Sequence, residues 1–160
     1  RDLNQNHHWR SLYGAASPRL KDQELILRFI SLFSNSENYK KPLKGFLNEF
    51  LKKHQNMQGL DPEKLRHIFE ETCSVINEGL GKNAFRLRAQ INAALVDAIM
   101  CGVANRIEDH PLLSLDQLQS AYEELTSNEE FLSSIARATA DEDRVKKRLS
   151  LAKVAFADLT

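Results

Sequence analysis

Between Lys21 and Phe33 the sequence KDQELILRFISLF spreads Leu25, Ile26, Leu27, Phe29, Ile30, Leu32 and Phe33 over more than half of a helix circumference. Only Glu24, Arg28 and Ser31 form a polar seam. A helix apolar on most of its surface is covered on most sides by other elements, so this stretch is expected to be the central helix. Lys41–Met57 has a cleaner amphipathic pattern: Leu43, Phe46, Leu47, Phe50, Leu51 and His54 recur at helical spacing under a lysine-rich outer face. Pro42 falls in its first turn, where a missing N–H costs nothing. Asp61-Pro62 opens a third helix with an inner stripe of Leu65, Ile68, Phe69, Thr72, Cys73, Ile76 and Leu80, closed by Gly79 and Gly81. Ile91–Val103 is apolar nearly all round, and its Ala93, Ala94, Ala98 and Gly102 would let neighbouring helices approach closely. Ser114 with Gln117 and Ser127 with Glu130 match capping boxes ahead of two short apolar periods. Asp141 or a neighbour starts a last helix with Val145, Leu149, Ala152, Phe156 and Leu159 inward.

No segment alternates with period two long enough for a strand. The reading is therefore all-α: one compact domain of about six to eight helices over residues 21–160. Residues 1–20, where Trp9, Leu12 and Tyr13 share one helical face, read as a linker with a short helix. The chain starts with Arg1 in a polar stretch, and the expectation is that a further domain precedes it.

Composition narrows the function classes. The 22 basic residues are cancelled by 22 acidic ones, which argues against a dedicated nucleic-acid binder with a global basic excess. No apolar run reaches membrane-spanning length. Cys73 and Cys101 lie far apart inside helical patterns and read as buried thiols of a reducing compartment, so a cytoplasmic location is expected.

Candidate chemistry is sparse. His7-His8 are adjacent and point apart on a helix, while His54 and His67 stand singly, and no metal-binding spacing joins them. His110-Pro111 invites comparison with His-centred nucleases, but the residues after it read as a capped helix. Gly79-Leu-Gly81-Lys82 is not a phosphate loop. Glu24 and Arg28 are one turn apart, acid first. Asp97 is the one acid in the apolar Ile91–Val103 run and needs a partner. Arg28, Arg86 and Arg88 are the candidates, and a buried Arg–Asp bridge to the central helix is expected. This gives an ion-pair seam of Glu24, Arg28 and Asp97. With a histidine added, the same groups would compose a small enzyme site. Of the basic residues on the last helix, Arg144, Lys147 and Arg148 are candidate phosphate contacts, and a merely solvated face is the other reading.

Asp22-Gln-Glu24-Leu25-Ile-Leu-Arg28-Phe29, then Tyr39, Pro42-Leu43, Phe46-Leu47-Asn48 and Phe50, resembles the helical half of the GmrSD-type, ParB-like family of restriction and phage-defence proteins. The likeness continues through Leu80-Gly81, Ala84-Phe85-Arg86, Asn92-Ala-Ala-Leu95 to Met100, Phe131, Thr139, Arg144-Val145 and Arg148-Leu149. Leu3-Asn4 to Trp9-Arg10 fits the segment joining the two halves. The resemblance implies a bacterial protein whose α/β N-terminal half binds and hydrolyses nucleotide through an Asp-Gly-Gln-Gln-Arg motif. That motif is absent from these residues, so no catalytic residue transfers and no cofactor or metal is expected in this chain. The expected partners are the N-terminal half, DNA and a second copy of the chain. A self-contained helical protein–protein interaction module is the alternative.

Overall fold

Eight α-helices and three single-turn 3-10 helices, without a strand, make up the computed structural model, which describes all 160 residues. The helices are α1 (His7–Tyr13), α2 (Lys21–Asn35), α3 (Leu43–Lys53), α4 (Pro62–Leu80), α5 (Ala93–Asp109), α6 (Leu115–Leu125), α7 (Glu129–Ala136) and α8 (Glu142–Ala157). The 3-10 turns are Asp2–Gln5, Ser36–Asn38 and Gln55–Met57. No helix is long and apolar enough to cross a membrane.

Local chemistry sets most helix starts. The side chains of Asp61, Asn92 and Ser114 accept backbone N–H bonds at the starts of α4, α5 and α6, satisfying donors that a helix start leaves open. At α7 the cap is Asn128 rather than the expected Ser127: its Oδ1 accepts from Phe131 N at 2.9 Å. α5 begins only after Asn92, because residues 81–92 run as turns whose Asn83, Arg88 and Gln90 stay exposed.

The centre of the fold is α5, not α2. α5 packs on α2, α4, α7 and α8 and is buried on nearly every side. At Gly102 a Cβ would lie 2.8 Å from Phe156 Cδ2 and 3.1 Å from the Ala152 backbone, so α5 and α8 meet as closely as a bare backbone permits. α2 is turned otherwise than its composition suggests. Its polar residues Asp22, Arg28 and Ser31 point inward, while Leu27 and Ile30 remain half-exposed.

The N-terminal segment carries the expected short helix, α1, and packs into the core. Trp9 and Leu12 are wholly buried in the main core, and Trp9 packs against Phe69 and Phe85 with ring centroids 5.8 and 6.2 Å away. Phe29 of α2 meets the same Phe69 at 6.1 Å. These rings join α1, α2 and α4 into one apolar centre and bury the largest side chains available to do so.

Candidate functional site: a buried arginine–aspartate–arginine junction

α2, α5 and α8 each send one charged side chain to a common point. Arg28 donates from Nε to Asp97 Oδ1 at 3.0 Å and from Nη2 to Oδ2 at 2.6 Å, a bidentate pair. Arg148 donates from Nη2 to the same Oδ2 at 3.0 Å and from Nη1 to the Thr139 carbonyl at 2.7 Å. Asp97 is 0% and Arg148 1% exposed. Burial lowers the pKa of Arg28, but the adjoining Asp97 carboxylate outweighs it and holds the guanidinium above its ordinary value. Tyr39 stands beside the junction and donates its hydroxyl to the Ala140 carbonyl at 2.6 Å; burial raises its pKa.

Two cations share one carboxylate here, and both carboxylate oxygens are spoken for. Buried charges of this kind persist only when paired and hydrogen-bonded. None of the main surface grooves is lined by Asp97, Arg28 or Arg148. The arrangement therefore welds three helices and presents no proton donor or acceptor to a substrate.

Several sequence expectations are corrected at this point. Glu24 lies exposed on α2 and makes no ion pair with Arg28; it acts on that guanidinium only through space. The assembly of Glu24, Arg28, Asp97 and a histidine does not form, since Asp97 is sealed in the core while Glu24 faces out. Arg148 cannot touch phosphate, because its head is locked on Asp97 and Thr139. Arg144 is bonded to the Ser133 carbonyl and hydroxyl, and Lys147 reaches Glu130 at 3.2 Å. Around these two cations stand Glu129, Glu130 and Asp143, which oppose an anionic ligand. Arg86 does not meet Asp97 either: it donates to the Leu12 and Tyr13 carbonyls at 2.8 Å each and so closes the end of α1.

A second polar knot holds the N-terminal segment. Asp22 accepts from Asn4 Nδ2 and Arg10 Nη2 at 3.0 Å each, from Ser17 N at 3.3 Å and from Gln23 N at 3.0 Å. Asn4 also accepts from the Trp9 indole at 3.0 Å. Burial pushes the Asp22 carboxyl up, but the bonds from Asn4, Ser17, Gln23 and Arg10 outweigh it and hold the pKa below 3.8. A third knot went unread in the sequence. Arg106, 3% exposed, donates to the carbonyls of His110, Leu112 and Leu159 and fastens the last residues to the end of α5. Its position in register with Ile99 and Val103 was the available signal.

His7 and His8 do not point apart, since their ring centroids lie 3.9 Å from each other, but no group of three or more His, Cys, Asp or Glu side chains converges as a metal site would require. Cys73 and Cys101 are free and buried, and burial raises both thiols above their ordinary value. In comparison with known proteins, no family model, curated protein or solved structure matches this chain.

Proposed function

We propose that this chain is the helical support half of a GmrSD-type, ParB-like defence protein, holding a nucleotide-binding N-terminal half that would join it at Arg1. The observation that carries this reading is where the resemblance-bearing polar residues spend their bonds. Asp22, Arg28, Asn92 and Arg148 all bind other parts of this chain: Asp22 the N-terminal segment, Arg28 and Arg148 the core aspartate, Asn92 the start of α5 and the Ile135 carbonyl. Residues used this way make a rigid platform rather than a reaction centre.

An apolar groove on this chain supports the same reading. Leu3, Ile26, Leu27, Ile30 and Leu51 line an apolar groove of about 500 Å³ whose rim includes Arg1 and Arg19. Leu20 and Leu51 are at least half exposed there and extend the apolar patch, and a contiguous patch of this kind suits an interaction surface. A domain entering at Arg1 would meet this face first.

The test is the reading frame upstream of the Arg1 codon. An in-frame coding stretch carrying Asp-Gly-Gln-Gln-Arg is expected, and its product, expressed separately, should bind this chain and lose that binding to Ile30→Asp. A start codon immediately before Arg1 overturns the proposal. The same groove would then favour the self-contained interaction module.

A further inference from the structure

We infer that the outer face of α3 is a binding surface for the phosphodiester backbone of a nucleic acid. The stretch Lys40–Lys53 holds five lysines against one carboxylate, Glu49, in a chain whose charges otherwise cancel. Phe46, Leu47 and Phe50 anchor the inner side of α3, which turns Lys44, Asn48 and Lys52 outward on one stripe. Lys44 and Lys52 are therefore about 12 Å apart along the helix axis. Lys40 and Lys53 flank the stripe, one just before the helix and one in its last turn.

The ion-pair pattern selects this face over the others. Lys41 is held by Asp141 at 3.1 Å, but Lys40, Lys44, Lys52 and Lys53 pair with no carboxylate. On α8, by contrast, Arg148 is buried, Lys147 is paired, and the two lysines left free, Lys146 and Lys153, share their groove with Glu37 and Glu142. A patch of unneutralised lysines recovers the most from meeting a polyanion, because each phosphate contact releases condensed counterions and loses no existing ion pair.

The shape of the surface points to a strand of phosphates rather than a bilayer. Beside the lysines runs a concave groove of about 560 Å³ whose polar lining is Lys40, Lys41, Lys53 and three asparagines, with Glu49 its one carboxylate. Its asparagine amides can donate to phosphate oxygens. A membrane-surface helix instead needs a broad apolar face beside its cations, and the apolar face of α3 is already inside the protein. The backbone contacts proposed here fix position without reading sequence, so DNA duplex, single strand and RNA share the chemistry.

This inference goes beyond the support role and stands apart from it: the chain as it is either binds or does not, whatever the upstream reading frame holds. The experiment is fluorescence anisotropy of a labelled mixed-sequence DNA duplex, its single strand and the matching RNA, titrated with the chain at several salt concentrations. Four free lysines predict a log–log salt slope of about −3 to −4, hence a loss of roughly 100-fold between about 50 and 200 mM salt. K44E/K52E should abolish binding and K44Q/K52Q should weaken it with a shallower slope. K146E/K153E on α8 should leave it near the parent level. All of these positions are exposed, and unchanged circular dichroism melts establish that the variants fold. The inference is overturned by no binding at low salt, by loss with K146E/K153E but not K44E/K52E, or by tighter binding to phosphatidylserine–phosphatidylcholine vesicles than to any nucleic acid.

Discussion

Replacing Asp97 by asparagine keeps the side chain's shape and removes its charge, so that Arg28 and Arg148 become two buried cations facing an amide. In the folded protein Asp97 receives three hydrogen bonds from the two guanidinium groups, and none of the three residues has more than slight contact with water. Breaking a buried pair from one side costs about 3–5 kcal/mol, chiefly because the remaining charge stays desolvated. With two cations left behind, the upper part of that range applies. A domain of this size is stable by about 5–15 kcal/mol in total, so D97N should lower Tm by roughly 8–20 °C. Urea and thermal unfolding followed by circular dichroism measure the loss. The companion variant R28M/D97L/R148M removes all three charges together and should recover most of it, since apolar replacement of a buried ionic triad is often neutral or stabilising. The reasoning is refuted if D97N stays within about 0.5 kcal/mol of the parent, the range of ordinary surface changes. It is equally refuted if the triple variant is as damaged as D97N.

Three further outcomes are expected. Asp22→Asn should cost about 1.5–3 kcal/mol at neutral pH through weakened charge-assisted bonds; because the folded pKa of Asp22 lies below 3.8, the gap between parent and variant should be complete above about pH 5 and close as pH falls through the folded value, in unfolding curves taken across that window. Arg106→Ala strands the buried carbonyl of Leu159 at about 1–3 kcal/mol, and should expose the Ser114 amide, bonded to the Thr160 carbonyl at 2.8 Å, to fast hydrogen exchange. Gly102→Ala should destabilise by about 1–3 kcal/mol through overpacking against the Ala152 backbone, reversing the gain of about 1 kcal/mol that alanine brings to a helix interior; a more stable variant would show that α5 and α8 have room.

The helices were legible because their information is local. Asp61 with Pro62, Ser114 with Gln117, and the inner stripe of α4 are read from neighbours in sequence, and the structure uses them at α4 and α6. The Arg28–Asp97 contact could also be anticipated, since a lone acid in an apolar helix demands a cation. What could not be read was the rotation of a helix relative to the core. In α2 the seam divides: Arg28 and Ser31 turn inward, Glu24 faces water, and burial of Asp22 and Arg28 against fixed partners outweighs the exposure of Leu27 and Ile30. Arg148 is masked in the same way: its charge does not set it apart from Arg144, Lys146 and Lys147. It lies in register with Val145 and Ala152, a better guide than its charge. The shared face of Trp9, Leu12 and Tyr13 is legible as a short helix, but its depth in the core is not, because the buried indole, its N–H satisfied by Asn4, stands in a polar segment.

The claim beneath these expectations is that the junction of Arg28, Asp97 and Arg148 is sealed and permanent. Side-chain NMR of the guanidinium groups addresses it directly. The Arg28 Nε proton, bonded to Asp97 Oδ1, and the Arg148 Nη protons, bonded to Asp97 and Thr139, should give separate, slowly exchanging resonances at neutral pH that vanish in D97N. Averaged resonances exchanging at the rate of a free arginine would contradict the claim.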